Sequence, residues 1–93
     1  MTFGLEDRLR VRENVFAREF EGEIVLLDLS QGVYYGLDPM ATHVWKAMTA
    51  GRTLSEVVPE LLATYDVEEP VLRADLLTLA SDWMDKQLVE RAP

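Results

Sequence analysis

The chain has 93 residues, 48% of them hydrophobic, enough for one modest core and too few for two domains. It has no cysteine, which excludes a disulfide framework, a thiolate metal site and a cysteine nucleophile. Seventeen acidic against nine basic residues leave a net charge of −8, which repels nucleic-acid phosphates and anionic membrane surfaces.

The opening segment MTFGLEDRLRVRENVF lacks the unbroken apolar stretch of a signal peptide. No apolar run approaches the roughly 20 residues of a membrane span, so a cytoplasmic protein is expected. Its basic residues are scattered, with a loose group at Arg8, Arg10, Arg12 and Arg18. The pattern predicts a first strand over Val15 to Phe20, with a turn at EGE, residues 21–23. IVLLDL, residues 24–29, is a short apolar run between turn signals and predicts a buried strand. VYYGL, residues 33–37, predicts a third, rich in strand formers.

A three-residue hairpin loop of Ser30, Gln31 and Gly32, with Gly32 left-handed, would pair Leu29 with Val33. That register puts Leu27 opposite Tyr35 and Val25 opposite Leu37. Val25, Leu27, Leu29, Val33, Tyr35 and Leu37 would then share the core face, leaving Tyr34 outward with Leu26 and Asp28.

Asp38-Pro39 predicts a helix start, because the carboxylate caps free N–H groups and proline suits the first turn. The helix should run to about Ala50, burying Met40, Ala41, Val44, Trp45 and Met48. TLSE, residues 53–56, is a capping box opening a second helix that Pro59 should shorten or bend. A third helix should follow Pro70 and reach about Gln87, with LVER, residues 88–91, as a short strand or irregular end. The expected fold is therefore α+β, a three-stranded antiparallel sheet followed by three helices.

The third helix carries two apolar stripes, Leu72, Leu76, Leu79 and Trp83, and Leu77, Ala80, Met84 and Leu88. Together they span roughly 180° of the helix, against ~100° for a one-sided amphipathic helix. Both stripes can be core, or one can face a groove. If the third strand is a sheet edge beside this helix, its unpaired main-chain groups and the leucines enclose a slot for an extended peptide.

No catalytic centre is expected. His43 is the single histidine and lies off the main apolar stripe, so any metal would need carboxylates alone, and neither a metal site nor a cofactor is expected. There is no glycine-rich phosphate loop and no nucleophile elbow.

The stretches EIVLLDLSQGVYYGLDPMATHVWKAM, GRTLSEVVPELLATYDV and VLRADLLTLASDWMDKQLVE resemble the PqqD-like family. These are precursor-peptide recognition domains of ribosomally made, modified peptides, known as RiPP recognition elements, and the stand-alone versions of lasso-peptide clusters are the most similar. The resemblance covers nearly all of the chain after about residue 11. It rests on the LLDL and YYGLD strand pair, Trp45, the TLSEVV helix start, and Asp75 opening DLL. It implies a winged helix-turn-helix-like fold in one peptide-recognition domain over residues 1–93, with 1–10 flexible. It further implies a non-catalytic protein that binds the leader segment of a precursor peptide as an added strand. The implied contacts are Val33, Tyr34, Tyr35 and Gly36 on the strand, and Leu72, Arg73, Asp75, Leu76, Leu79 and Trp83 on the helix. A separate leader peptidase, followed by a cyclase, is the implied partner.

The alternative is a small winged-helix DNA-binding regulator, which requires a basic stripe on a recognition helix. The third helix sets Arg73 and Lys86 against Asp75, Asp82 and Asp85, so neither nucleic acid nor membrane is the expected partner.

Overall fold

The computed structural model describes residues 3–93. Its elements in chain order are β1 (Leu9–Val11), β2 (Val15–Phe20), β3 (Glu23–Asp28), β4 (Val33–Gly36), α1 (Pro39–Thr49), α2 (Leu54–Thr64), α3 (Glu69–Asp85) and β5 (Val89–Arg91). The antiparallel order β2-β3-β4 makes the three-stranded sheet, and the three helices follow it as expected.

Both helix starts form where short-range chemistry predicts them. The Asp38 carboxylate accepts from the Ala41 N–H at 2.8 Å. Thr53 and Glu56 close the capping box, the Thr53 N–H donating to Glu56 Oε1 at 2.9 Å and the Glu56 N–H to Thr53 Oγ1 at 3.2 Å. Pro59 does not shorten α2, which continues through it to Thr64. Val44, Val57, Leu61, Leu72 and Ala80 are fully buried between the helices. Trp45 of α1 meets Trp83 of α3 edge-to-face at 5.1 Å, a favoured aromatic geometry that fastens these helices together.

The chain ends differ from expectation. Of the ten residues expected to be flexible, Met1 and Thr2 lie outside the described residues. Residues 3–10 are folded, with Leu5 and Leu9 in the core. β1 pairs with β5, Arg10 opposite Glu90, as a separate two-stranded ribbon. Arg10 and Arg12 reach Glu90 at 2.6 and 3.3 Å, and Arg91 reaches Asp7 at 2.6 Å. LVER thus takes the short-strand form of its two expected outcomes, while β1 is a strand the sequence did not lead us to expect.

The hairpin register also needs correction. Asp28 pairs with Val33, Leu27 with Tyr34 and Leu26 with Tyr35, one residue away from the expected register. The loop contains four residues, Leu29 to Gly32, with Gly32 left-handed at φ 66 as expected. The cause is Asp28, whose Oδ1 accepts from the Ser30 N–H at 3.0 Å, the Ser30 hydroxyl at 2.7 Å and the Asn14 amide at 2.9 Å. These bonds hold Asp28 inward at the root of the loop, and a one-residue slip reverses every side chain of β3. Ile24, Leu26 and Asp28 are consequently buried, while Val25 and Leu27 turn outward with Tyr34. Tyr35 and Leu37 remain on the core side, and Leu29 is exposed.

The Ser30 hydroxyl, then the Asn14 amide, hold the Asp28 carboxyl below its ordinary value of 3.8, against the opposing effect of desolvation. A depressed folded-state value contributes stability above the unfolded value, and this is lost as pH falls through the folded one. Acid unfolding monitored by tyrosine circular dichroism should therefore steepen below pH ~4. Asp28→Asn should flatten that profile while lowering the urea midpoint at neutral pH; an unchanged acid limb would mean that Asp28 does not control the hairpin.

Candidate peptide-binding groove

β4 is an edge strand, and its free side lies beside α3. The Leu37 N–H donates to the Ile24 carbonyl at 2.9 Å, which makes Ile24 and Leu37 a hydrogen-bonded pair. Because such pairs alternate along an antiparallel ladder, Val33 and Tyr35 also direct their main-chain groups toward β3. Tyr34 and Gly36 direct theirs to the open edge. These two residues offer the N–H and C=O groups an added strand would use.

A depression of about 180 Å³ separates this edge from α3, lined by Tyr35, Gly36 and Leu37 on one wall and by Leu79, Asp82, Trp83 and Lys86 on the other. On the helix wall, Leu79, Asp82 and Lys86 fall three and four residues apart, on one face. The Lys86 ammonium bonds Asp82 Oδ2 at 2.8 Å and lies 5.1 Å from the centre of the Tyr35 ring, spanning strand and helix. Asp82 and Lys86 were not among the residues expected from the sequence. Counting forward from Asp75 and Leu79 at helical spacing would have found both.

The expected contact residues occupy three environments. Val33, Tyr34 and Gly36 are exposed, and of these three Gly36 lines the depression. Leu79 is half-buried in the depression, with Asp75 one turn before it and exposed. Leu72, Leu76 and Trp83 are core, at 0, 1 and 3% exposure, and only Trp83 shows an edge to the depression. Arg73 is tied to Glu69 at 3.0 Å, one turn back on α3. Arg73 of α3 and Lys86 at its C-terminal cap are thus both paired with α3 carboxylates, which leaves α3 without the basic stripe of a DNA-reading helix.

The His43 ring meets Glu60 at 3.1 Å across α1 and α2, joined there by Arg52. The Arg52 guanidinium, and after it the histidine, pull the Glu60 carboxyl down to about 2, as in a structural ion cluster. Among the described residues no three histidine, cysteine or carboxylate side chains gather as a metal site. Among them, too, no helix is long and apolar enough to cross a membrane.

Residues 23–89, from β3 into β5, match the family described as coenzyme PQQ synthesis protein D (PqqD). The chain belongs to the PqqD family. Among solved structures, this PqqD-family chain is similar to one described as "TbiB1 in Complex with the TbiA(beta) Leader Peptide". That similarity has a TM-score of 0.80 and 30% identity, over 87% of this chain and 94% of the other. A second, "Lasso peptide synthetase B1 complexed with the leader peptide", superposes with a TM-score of 0.83 over 89% of this chain and 98% of the other. Its 22% identity makes it a likeness of fold. No match is found among curated proteins.

Proposed function

We propose that this PqqD-family protein is a binding module for the leader segment of a ribosomally made precursor peptide, as in lasso-peptide maturation. The observation that carries the proposal is the open edge of β4 facing the half-apolar wall of α3 across a narrow depression. The 30% identity to a protein solved with a leader peptide supports it. The disordered leader would gain order on docking, its main chain bonding to Tyr34 and Gly36 and its apolar side chains settling against Leu79 and Tyr35. Having no chemistry of its own, the module would work in the cytoplasm, presenting the leader to a separate peptidase before a cyclase acts.

The test is Gly36→Pro. The substitution deletes an N–H that faces the open edge and none from the β3 ladder, and a Cβ at Gly36 meets nothing within 4 Å. Fluorescence anisotropy with a labelled leader should show binding weakened about 5- to 10-fold, the worth of one main-chain hydrogen bond of ~1 kcal/mol. Unchanged affinity in a folded variant would remove β4 as the docking edge.

A further inference from the structure

A second open strand edge lies at the other sheet. β1 belongs to the two-stranded ribbon and has a strand, β5, on one side alone. The Ala92 N–H donates to the Arg8 carbonyl at 2.8 Å and the Arg12 N–H to the Leu88 carbonyl at 3.1 Å, so Arg8, Arg10 and Arg12 are the residues that bond across to β5. By the alternation of an antiparallel ladder, Leu9 and Val11 direct their N–H and C=O groups the other way. A depression of about 340 Å³ lies beside them, with Arg8, Leu9, Arg10 and Val11 on one wall and Met48, Thr49 and Gly51, at and just past the end of α1, on the other. Successive strand residues point to opposite faces, yet all four line it, so the depression follows the edge of β1 and neither face.

This edge is unevenly charged. Arg8, Arg10 and Arg12 alternate with Leu9 and Val11, which puts the arginines on the solvent face and the apolar pair on the core. Glu90 serves two of them, one oxygen at 2.6 Å from Arg10 and the other at 3.3 Å from Arg12. Arg8 bonds the Gly51 carbonyl and stands 3.9 Å from Glu56. A chain of net charge −8 thus gathers three guanidinium groups beside one open strand.

We infer that the edge of β1 accepts an extended segment of a partner protein in which a carboxylate side chain stands between two apolar ones. Added antiparallel, such a strand exchanges main-chain bonds with Leu9 and Val11, and the residues opposite these two turn inward toward Met48 and Thr49. The residue between them lies directly across from Arg10 on the solvent face, where an opposite charge stabilises a cross-strand pair. A second copy is a poorer occupant. Its β1 would also bond through Leu9 and Val11, so every antiparallel register sets Arg10 opposite an arginine, and like charges there destabilise. The site shares no residue with the groove beside β4 and does not rest on the leader-binding reading.

The test uses the full chain and two labelled peptides of about eight residues, one alternating valine with glutamate and one alternating valine with lysine. Net charge alone favours the lysine peptide. The β1 edge should instead favour the glutamate peptide, by about 3-fold or more. Val11→Pro deletes an N–H that faces the open edge and none from the β5 ladder, and should weaken the glutamate peptide about 5-fold, the loss of one main-chain hydrogen bond. Arg10→Gln, at an exposed position that lets the fold persist, should abolish the preference over the lysine peptide. Gly36→Pro, on β4, should change neither affinity. Tighter binding of the lysine peptide, no saturable binding of the glutamate peptide, or native affinity in a folded Val11→Pro variant overturns the inference. A preference retained in Arg10→Gln overturns it whether or not Val11→Pro folds. So does binding lost with Gly36→Pro, which would place the peptide on β4.

Discussion

Leu79→Asp is expected to leave the protein folded and to weaken leader binding by at least about 10-fold. Leu79 is half-buried on the helix wall of the groove, opposite Tyr35 and Gly36. With no peptide bound, an aspartate there can reach water, so its cost to the fold is limited to lost packing and a helix-propensity penalty of about 0.5 kcal/mol. A docked leader would bury that carboxylate beside Asp82 and forfeit the contact between apolar side chains. Burial of one leucine contributes roughly 1.5–3 kcal/mol, equivalent to about 10- to 150-fold in affinity. Anisotropy titration, paired with a far-UV spectrum to establish folding, measures both sides. Native affinity in the folded variant would place the leader elsewhere.

Leu76→Asp, one turn earlier on the same helix, is expected to unfold the chain. Leu76 is 1% exposed, so the substitution leaves both a cavity and an unpaired buried charge, a combination that costs more than about 4 kcal/mol. A domain of this size has about 5–15 kcal/mol in total. A cooperative thermal transition near that of the unmodified protein would show that Leu76 is not core. Leader binding by this variant reports on folding alone. The groove is tested by Leu79, although both leucines belong to the same apolar stripe in the sequence.

The features legible in the sequence are those whose donor and acceptor lie within a few residues. Asp38 with Ala41 and Thr53 with Glu56 announce two helix starts, and EGE announces a turn, made by Glu21 and Gly22 while Glu23 opens β3. The strand register was not legible, because alternation carries no preference when both faces of β3 are apolar. Val25 and Leu27 look as fit for the core as Ile24 and Leu26. What decides between them is Asp28 with Ser30, a side-chain contact two residues apart that a hydrophobic pattern does not register. The groove was half legible. The stripe of α3 gave Leu79, but apolar periodicity passes over Asp82 and Lys86, which complete its wall, and it does not separate a core leucine from a groove leucine.

β1 and its pairing with β5 were not legible for another reason: each strand has three residues, and the ion pair of Arg10 with Glu90 joins positions 80 apart. That separation has a kinetic meaning. Loop-closure entropy grows with the length of chain enclosed, so local hairpins and helices form at less cost than a contact spanning nearly the whole sequence. The ribbon should therefore close late, after the β3–β4 hairpin and the helices have brought the ends together. Interactions formed after the folding barrier act mainly on the rate of unfolding. By holding both ends to the core, three residues on each side would set how long the native state persists more than how fast it is reached.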